Sequence, residues 1–329
     1  MKRRRNLVRP LFLFTALAVF VFAGCAAGPA ASGSFDRDFT VSGPLRLELT
    51  NAAGDVNITG SADGKVHVHG DIRASGFGFD NPKTRLDDTL ANPPVEQRGD
   101  TIRIGKDLSR MRHISIAYTI QVPHDTEVSA SVASGSQTIR NLRGPVTVKA
   151  ASGSIRVEKI DRDAQLSTAS GSISANDVGS DVHVSSASGT ITVSNIKGDV
   201  RVGAISGVIR VSQPGGRVDA DTSSGEVEIQ GATSDVKAHA IAGRVYVQGN
   251  PGADNFWDLK TVSGTVQFVV PSTANFHLSA EAASGEIRAD VPIVIEEQGK
   301  HSLRAHMGNG GGRVEVHTVS GEIRVSGSR

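Results

Sequence analysis

Four aspartates recur at a fixed spacing and are the residues best suited to do chemistry. They are separated by steps of 18, 18 and 36 residues: Asp163, Asp181, Asp199 and Asp235. If the chain stacks equivalent units, the first three form a column with about 4.8 Å between neighbours. Polysaccharide-cleaving enzymes use two or three carboxylates on such a surface as general acid, general base or Ca²⁺ ligands. Asp163, Asp181 and Asp199 are therefore the candidate catalytic residues. The alternative, which we favour, is turn chemistry, in which each carboxylate accepts hydrogen bonds from local backbone N–H groups.

Serines and histidines give weaker candidates. A serine column also repeats every 18 residues, but no base accompanies its members, so we expect hydrogen bonds at corners of the fold: Ser134, Ser152, Ser170, Ser188, Ser206 and Ser224. His67 and His69 lie two residues apart on one predicted strand and share a face, a spacing that suits a weak metal pair. Both occupy the polar side of the alternation, so we expect solvated strand residues. No metal and no cofactor is predicted.

The same period organises most of the chain. Ser-Gly or Ala-Gly dipeptides recur at intervals of 18, then 21 and 36 residues, and Gly54 has the same surroundings further upstream. The predicted corner glycines are Gly54, Gly135, Gly153, Gly171, Gly189, Gly207, Gly225, Gly243, Gly264, Gly285 and Gly321. Counted from each glycine, positions −7, −5, +2 and +4 are apolar in 43 of 44 cases, with Gln137 as the exception. The residues between them are almost all polar. Each unit therefore contributes two short strands with one buried face.

Two architectures fit this pattern. Stacked units would bury their apolar faces against each other and form a β-solenoid with an 18-residue coil. Alternatively, each Ser-Gly could be a two-residue turn, which would give an array of antiparallel hairpins. We favour the solenoid because stacked corners require a constant unit length, whereas hairpins tolerate variation.

Composition excludes several functions. The single cysteine excludes a disulfide framework and a structural zinc site. Five of the 35 basic residues precede residue 25 and no acidic residue does, so the rest of the chain has 30 basic residues against 34 acidic ones, a net charge of −4. We therefore expect no nucleic-acid partner.

The N-terminus has the layout of an export signal. A basic segment, an apolar run from Leu11 to Phe22 and a small-residue exit indicate a signal peptide over residues 1–24. The exit, Phe22-Ala23-Gly24-Cys25, resembles the bacterial lipobox, although Phe22 replaces the usual leucine. That resemblance implies acylation of Cys25 and, because Ala26 follows it, outer-membrane sorting in a Gram-negative cell. An ordinary signal peptide is the alternative. Residues 25–35 are predicted to be a flexible tether.

Beyond the tether we expect one continuous β domain over residues 36–329. It divides into an N-terminal β region, 36–126, and the solenoid repeats, 127–329. Residues 75–100 and 296–312 interrupt the pattern and are predicted to be loops, which are the better places for binding specificity. The last unit ends near the C-terminus, so we expect it to close the stack with an exposed edge.

The repeat resembles the adhesin-type β-strand repeat proteins of the DUF4097/DUF2807 group. The likeness lies in NAAGDVNITG at 51–60, in TIQVPHDTEVSASVASGSQTI at 119–139 and in the runs AASGSI, TASGSI and SASGTI. It covers about residues 36–329 and implies a right-handed parallel β-helix on an exported or membrane-tethered protein.

These observations favour a non-enzymatic, lipid-anchored protein of the cell envelope that acts as an adhesin or scaffold. Its expected partners are the membrane, through the lipid, and a cell-surface glycan or envelope protein. A polysaccharide-active enzyme and a regulatory partner of an envelope signalling system are the alternatives.

Overall fold

A computed structural model describes residues 30–76, 81–105 and 113–328. The N-terminal region contains β1 (Ala30–Thr40), β2 (Arg46–Ala53), β3 (Val56–Ser61), β4 (Lys65–Ser75), α1 (Pro82–Ala91), β5 (Val95–Arg98), β6 (Thr101–Ile104) and β7 (Ile114–Pro123). The central region contains β8 (Glu127–Ser134), β9 (Gln137–Leu142), β10 (Val146–Ser152), β11 (Ile155–Ile160), β12 (Ala164–Ser170), β13 (Ile173–Val178), β14 (Val182–Ile196), β15 (Val200–Pro214), β16 (Val218–Ala232) and β17 (Val236–Gly249). The C-terminal region contains β18 (Phe256–Val270), β19 (Phe276–Ser284), β20 (Ile287–Asp290), β21 (Val294–Gln298), β22 (Ser302–Met307), β23 (Gly312–Ser320) and β24 (Ile323–Gly327).

The central strands form a parallel β-solenoid, as predicted. Val146 pairs in parallel with Val128 on one side and with Ala164 on the other, each 18 residues away. The strands that follow each corner glycine stack in the same way, and in β14 to β18 one strand runs through the corner. The hairpin array is excluded, because its strands would pair antiparallel within a unit.

The corner requires glycine for two reasons. At Gly207 the backbone has φ +138°, which side chains rarely adopt, and a Cβ would overlap the carbonyl oxygen of Gly189 in the preceding coil. The same close approach repeats from coil to coil along the stack. The period of the sequence is therefore imposed by backbone contacts between neighbouring coils.

The alternating pattern marks the interior correctly. Of the 44 positions named above, 42 are buried, and Ile287 and Ala289 are the exceptions. Both lie on β20, which pairs on one side only, with β24. Gln137 is buried with the apolar residues and donates from Nε2 to the carbonyl of Lys149 at 3.0 Å.

A second corner follows the second strand of each coil and was not predicted. Here one residue per coil adopts a left-handed conformation, with φ between 52° and 59° at Asn141, Lys159, Asp177, Asn195 and Gln213. Gly231, at 78°, continues the column. This residue is left out of the ladder pairing, and the next one returns to the core. The mixed residue types at this position conceal the column, because a single glycine is its only strong sequence signal.

At the N-terminal end the stacking order differs from the chain order. β2 and β3 pair with β8 and β9, while β6 and β7 pair with the opposite edges of β2 and β3. Residues 101–123 therefore lie outside residues 46–61, although they come later in the chain. β4 pairs antiparallel with β7, and β1 with β4.

Two predictions for this end need correction. The segment 75–100, predicted as a loop, contains α1 and β5. Asn81 caps the helix by accepting from the backbone N–H of Lys83 at 3.0 Å, Pro82 occupies the first turn, and Leu86 and Leu90 lie against Gly33 of β1. Residues 30–35, predicted as part of the tether, belong to β1, where they form a ladder with β4.

The C-terminal end also stacks out of order. β23 and β24 pair with β18, and β19 and β20 pair with the other edges of β23 and β24. The last coil of the chain thus lies inside the stack, so the predicted exposed edge of that coil is wrong. The segment 296–312, predicted as a loop, contributes to an antiparallel hairpin of β21 and β22 that pairs with β19. Leu303, Ala305 and Met307 of β22 are buried, and burying an alternate row of side chains requires a strand.

The signal peptide, Cys25 and residues 26–29 of the tether lie outside the described residues. Within the described part of the chain, no helix is long and apolar enough to cross a membrane.

Candidate interaction surface

The aspartate column links neighbouring coils. The Oδ1 atom of Asp181 accepts from the backbone N–H of Asp199 at 2.8 Å, and Oδ1 of Asp199 accepts from that of Arg217 at 2.9 Å. Asp235 does the same for Phe256 at 2.9 Å, and its Oδ2 atom receives the Arg217 guanidinium at 3.0 Å. Each carboxylate therefore caps the turn of the following coil, as the turn-chemistry interpretation expects.

Asp163 stands in the same column and is exposed. Its backbone carbonyl accepts from Val146, as the carbonyls of Asp181 and Asp199 accept from Ala164 and Val182. The main chain at each of the three aspartates is therefore part of the parallel ladder. Of the three candidate catalytic residues, Asp181 and Asp199 therefore each use a carboxylate oxygen to hold the turn of the next coil.

The serine column also belongs to the corner. The carbonyl of Ser170 accepts from the N–H of Gly153 at 3.0 Å, and that of Ser188 accepts from Gly171 at 3.2 Å. The Thr168 and Ser186 hydroxyls donate to these same two carbonyls at 3.2 and 3.1 Å. The serines thus carry the bonds that hold successive glycines in contact.

His67 and His69 each form a hydrogen bond with an aspartate of β1. His67 Nδ1 lies 2.6 Å from Asp38 Oδ1, and His69 Nδ1 lies 2.8 Å from Asp36 Oδ1. The hydrogen bond that His69 donates to the Asp36 carboxylate raises the pKa of His69 above its usual value of 6.5. Among the described residues, no group of three or more His, Cys, Asp or Glu side chains is arranged to hold a metal ion. These pairs join β4 to β1, the strand closest to the N-terminus.

The strands before the corner glycines carry a network of charges on their outer face. Lys237 Nζ lies 2.9 Å from Asp219 and 3.1 Å from Asp221, and its hydrogen bond to Asp219 is the main cause of its raised pKa. One coil further, Asp258 Oδ2 lies 3.0 Å from His239 Nε2 and 2.9 Å from Lys260 Nζ. We call these six residues the charged ladder. Its carboxylates and cations neutralise each other across three coils, so the face is polar but carries little net charge.

An apolar stripe lies beside the charged ladder, two residues before each corner glycine. Its larger members are exposed by about half or more of their surface: Ile205 61%, Ile241 58%, Val262 49% and Val319 49%. Ser223 occupies the same position between the two isoleucines. In the earlier central coils this position holds alanine only: Ala133, Ala151, Ala169 and Ala187.

The stripe forms one wall of a shallow trough of about 820 Å³ that runs along the solenoid axis. Small residues one position earlier, among them Ala204, Thr222 and Ala240, make its floor, and the charged ladder makes part of the other wall. The sequence contained the signal, because position −2 is apolar in ten of the eleven units. Strand alternation does not reveal it, because the chain turns at this position and the alternation stops.

Comparison with known proteins identifies the family. The profile of the Toastrack DUF4097 family matches residues 113–240 and 180–326. No curated protein matches the chain.

Three solved structures are similar over most of their length. A candidate cell adhesion protein from Clostridium sporogenes ATCC 15579 shares 10% identity over 91% of this chain and all of its own, with a TM-score of 0.26. A candidate lipid binding protein from Parabacteroides distasonis ATCC 8503 shares 10% identity over 90% and 97% of the two chains, with a TM-score of 0.40. A candidate adhesin from Bacteroides fragilis NCTC 9343 shares 12% identity over 89% and 97%, with a TM-score of 0.30.

The two profile matches together span residues 113–326, well over half of the sequence. They include the central coils and the C-terminal coils that carry the apolar stripe. The chain belongs to the Toastrack DUF4097 family.

Proposed function

We propose that this protein is a non-enzymatic interaction module of the cell envelope, anchored by a lipid on Cys25, and that it acts as an adhesin or scaffold. The observation that carries the proposal is a difference between two sets of positions in the coil. The aspartates and serines at equivalent positions are engaged in bonds between coils, whereas the outward strand positions differ from coil to coil on a fixed backbone.

Such a surface suits recognition better than catalysis. The registered strands hold the outward side chains at fixed separations, so little conformational entropy is lost when a partner binds. The charged ladder and the apolar stripe lie side by side, which provides both polar and apolar contacts in one area. A binding face is therefore expected on the strands that precede the corner glycines, in the later coils.

A binding assay with matched variants tests the location of this face. The full chain is incubated with cell-wall material, a glycan panel and solubilised envelope proteins, and its retention is measured. Asp221→Ala with Lys260→Ala should reduce retention at least about fivefold, because it removes charges from the ladder. Arg156→Ala with Glu158→Ala removes an ion pair from the strand after another corner glycine and should leave retention unchanged. Equal retention of both variants, or no retention of the parent chain, would refute the proposed face.

The anchor and the orientation are tested in cells. Labelled palmitate should enter the protein and should be absent from Cys25→Ser; label that survives this substitution would refute the anchor. An epitope placed after Arg329 then reports the side of the membrane. Loss of the epitope when intact cells are treated with protease supports the adhesin. Protection until the outer layer is breached excludes the adhesin and leaves the scaffold.

A further inference from the structure

We propose that Asn309 is a site of spontaneous covalent modification, at which the side-chain amide is converted to a carboxylate through a cyclic imide. The chain contains twelve asparagines, and Asn309 is the only one that a glycine follows. Glycine has no Cβ, so its backbone nitrogen is the least hindered nucleophile that the preceding side chain can meet. Whether the reaction occurs in the folded chain depends on the surroundings of Asn309 and Gly310.

Both residues lie outside the strand ladder. They belong to the segment 308–311 between β22 and β23, where Asn309 is exposed and Gly310 is partly exposed. In the described part of the chain, neither the Asn309 side-chain amide nor the Gly310 N–H has a hydrogen-bond partner. The two reacting groups therefore meet without first breaking a hydrogen bond.

The other asparagines within the described residues are less favourably placed. Three precede proline, whose nitrogen has no proton to lose, and these are Asn81, Asn92 and Asn250. Two precede the bulky phenylalanine, Asn255 and Asn275. The remaining five lie in strands: Asn51, Asn57, Asn141, Asn176 and Asn195. Ladder hydrogen bonds restrain the backbone of a strand, which hinders the rotation that would bring Cγ to the next nitrogen.

The reaction needs no reagent except water. The Gly310 nitrogen attacks Cγ of Asn309, so that an N–Cγ bond forms and the Cγ–Nδ2 bond breaks. Nδ2 leaves as ammonia and takes up the proton that the Gly310 nitrogen loses. Water then opens the cyclic imide. Attack at Cγ gives aspartate with the normal main chain, whereas attack at the main-chain carbonyl gives isoaspartate, whose main chain runs through Cβ and Cγ.

The segment 308–311 also determines where the last coil of the chain lies. β22 and β23 pair with opposite edges of β19, since Phe276 is opposite Met307 on one side and Gly312 on the other. The four residues between these strands therefore carry the chain across the start of β19, over two strand spacings or about 9.6 Å. Through this crossing β23 reaches its position inside the stack.

Isoaspartate at position 309 would lengthen the main chain of the crossing by one methylene. On one side of the added carbon, the backbone N–H of Asn309 donates to Oδ1 of Asn275 at 3.2 Å. On the other side, Gly310 lies so close to the His277 ring that a Cβ would overlap Nε2. The added methylene falls between these two contacts, so the modification should loosen the adjoining ends of β22 and β23.

Peptide mapping by mass spectrometry tests the site. The full chain with Cys25→Ser is incubated at mildly alkaline pH, both folded and unfolded in urea. In the folded chain, conversion at Asn309 should be at least about tenfold faster than at Asn57, which is exposed on β3 but precedes isoleucine. Protein isoaspartyl methyltransferase and labelled S-adenosylmethionine report the isoaspartate. The label should be absent from Asn309→Gln, which keeps an amide but would have to close a larger ring.

An Asn309 amide that stays intact in the folded chain while the urea-unfolded chain converts would overturn the proposal, because the fold would then protect the site. Methyl label that survives Asn309→Gln would overturn it as well.

Hydrogen exchange tests the effect on the crossing. Chains that carry isoaspartate, separated by anion exchange, should exchange faster than the parent at the adjoining ends of β22 and β23 and equally in β10 to β15. Asn309→Asp has the same charge without the added methylene and should exchange as the parent does. Equal exchange of the modified and parent chains at these ends would show that the crossing absorbs the methylene, contrary to the loosening proposed.

Discussion

The central coils and the two ends of this molecule use the same parallel ladder with different chain orders. Between residues 127 and 249 each coil lies on the one that precedes it in the chain. At both ends one coil is displaced: residues 46–61 lie inside residues 101–123, and residues 312–327 lie inside residues 276–290, although each inner segment is further along the chain from the central coils. The difference shows that the period specifies which residues pair, whereas the insertions between units determine which unit is the neighbour.

The ends also differ from the central coils because the sheet terminates there. A central coil is covered on both sides by equivalent coils and needs no special protection. The outer coils are followed by antiparallel strands, β4 and β1 at one end and β22 and β21 at the other. These strands satisfy the hydrogen-bonding edge with sequence that no longer has to follow the 18-residue pattern.

The largest effect should come from breaking the central corner. Gly207→Val places a Cβ on the carbonyl of Gly189 at φ +138°, and we expect a loss of about 4 kcal/mol or more in the free energy of unfolding, or failure to fold. Gly203→Val, four residues earlier on β15, is the matched control, because a Cβ there meets no atom within 4 Å. Urea unfolding followed by circular dichroism gives both values. Similar losses for the two variants would contradict the contact argument.

The C-terminal hairpin offers the next test, because it protects one end without belonging to the repeat. Leu303 of β22 is 6% exposed, and Leu303→Ala should destabilise the hairpin by about 3 kcal/mol. Amide exchange should rise in β19, β21 and β22 and remain slow in β10 to β15. If protection falls equally everywhere, the ends and the centre unfold as one unit, and their different chain order has no counterpart in local stability. Val294→Ala, at an exposed position of β21, is the control.

The aspartate column should give an intermediate effect. Asp199→Ala removes the acceptor for the Arg217 N–H and should cost about 1 kcal/mol, as a lost cap does. Asp199→Asn keeps an oxygen at that position and should cost much less. The same two proteins, assayed for release of reducing or unsaturated ends from uronic-acid polymers, address the enzyme alternative. Turnover by the parent chain that both substitutions abolish would show catalysis and contradict the purely structural role.

The smallest effect concerns the N-terminal end and depends on pH. Asp36 on β1 and Asp71 on β4 both favour protonated His69, whereas Thr119, opposite on β7, carries no charge. Because the folded pKa of His69 is raised above 6.5, its contribution is complete below about pH 6.5 and is lost as pH rises through the folded pKa. Exchange of β1 amides, corrected for intrinsic rate, should therefore increase between pH 6 and pH 9. His69→Gln should abolish this dependence, and an unchanged dependence would assign it to another group.

The sequence predicts the central coils well and the two ends poorly. Valines and isoleucines such as Val146, Val148 and Ile155 repeat at one spacing, so the strands, the register and the core of the central coils could be predicted. The displacement of residues 312–327 could not, because Gly285 and Gly321 have the same local pattern and either could stack on Gly264. The helix at 82–91 left a local signal in Asn81 and Pro82, but the polar composition around it outweighed that signal.

For the candidate site residues, the sequence predicted which side chains are aligned from coil to coil but not which hydrogen bonds they form. The spacing of Asp181 and Asp199 predicted their alignment, whereas the hydrogen bond from each carboxylate to a backbone N–H of the next coil is visible only in the folded structure. The left-handed column from Asn141 to Gln213 is less visible still, because conformation there is imposed by the ladder on residues of different types.

The displaced coils have a consequence for how the molecule folds. A regular solenoid can grow from a nucleus by adding one coil at a time, with each addition closing a loop of 18 residues. Here β2 and β3 gain both neighbours only when residues 101–142 are present, and β18 gains its outer neighbours only when residues 313–327 are present. We therefore expect the central coils to form first and the two ends to be the slow steps, since both require longer loops to close.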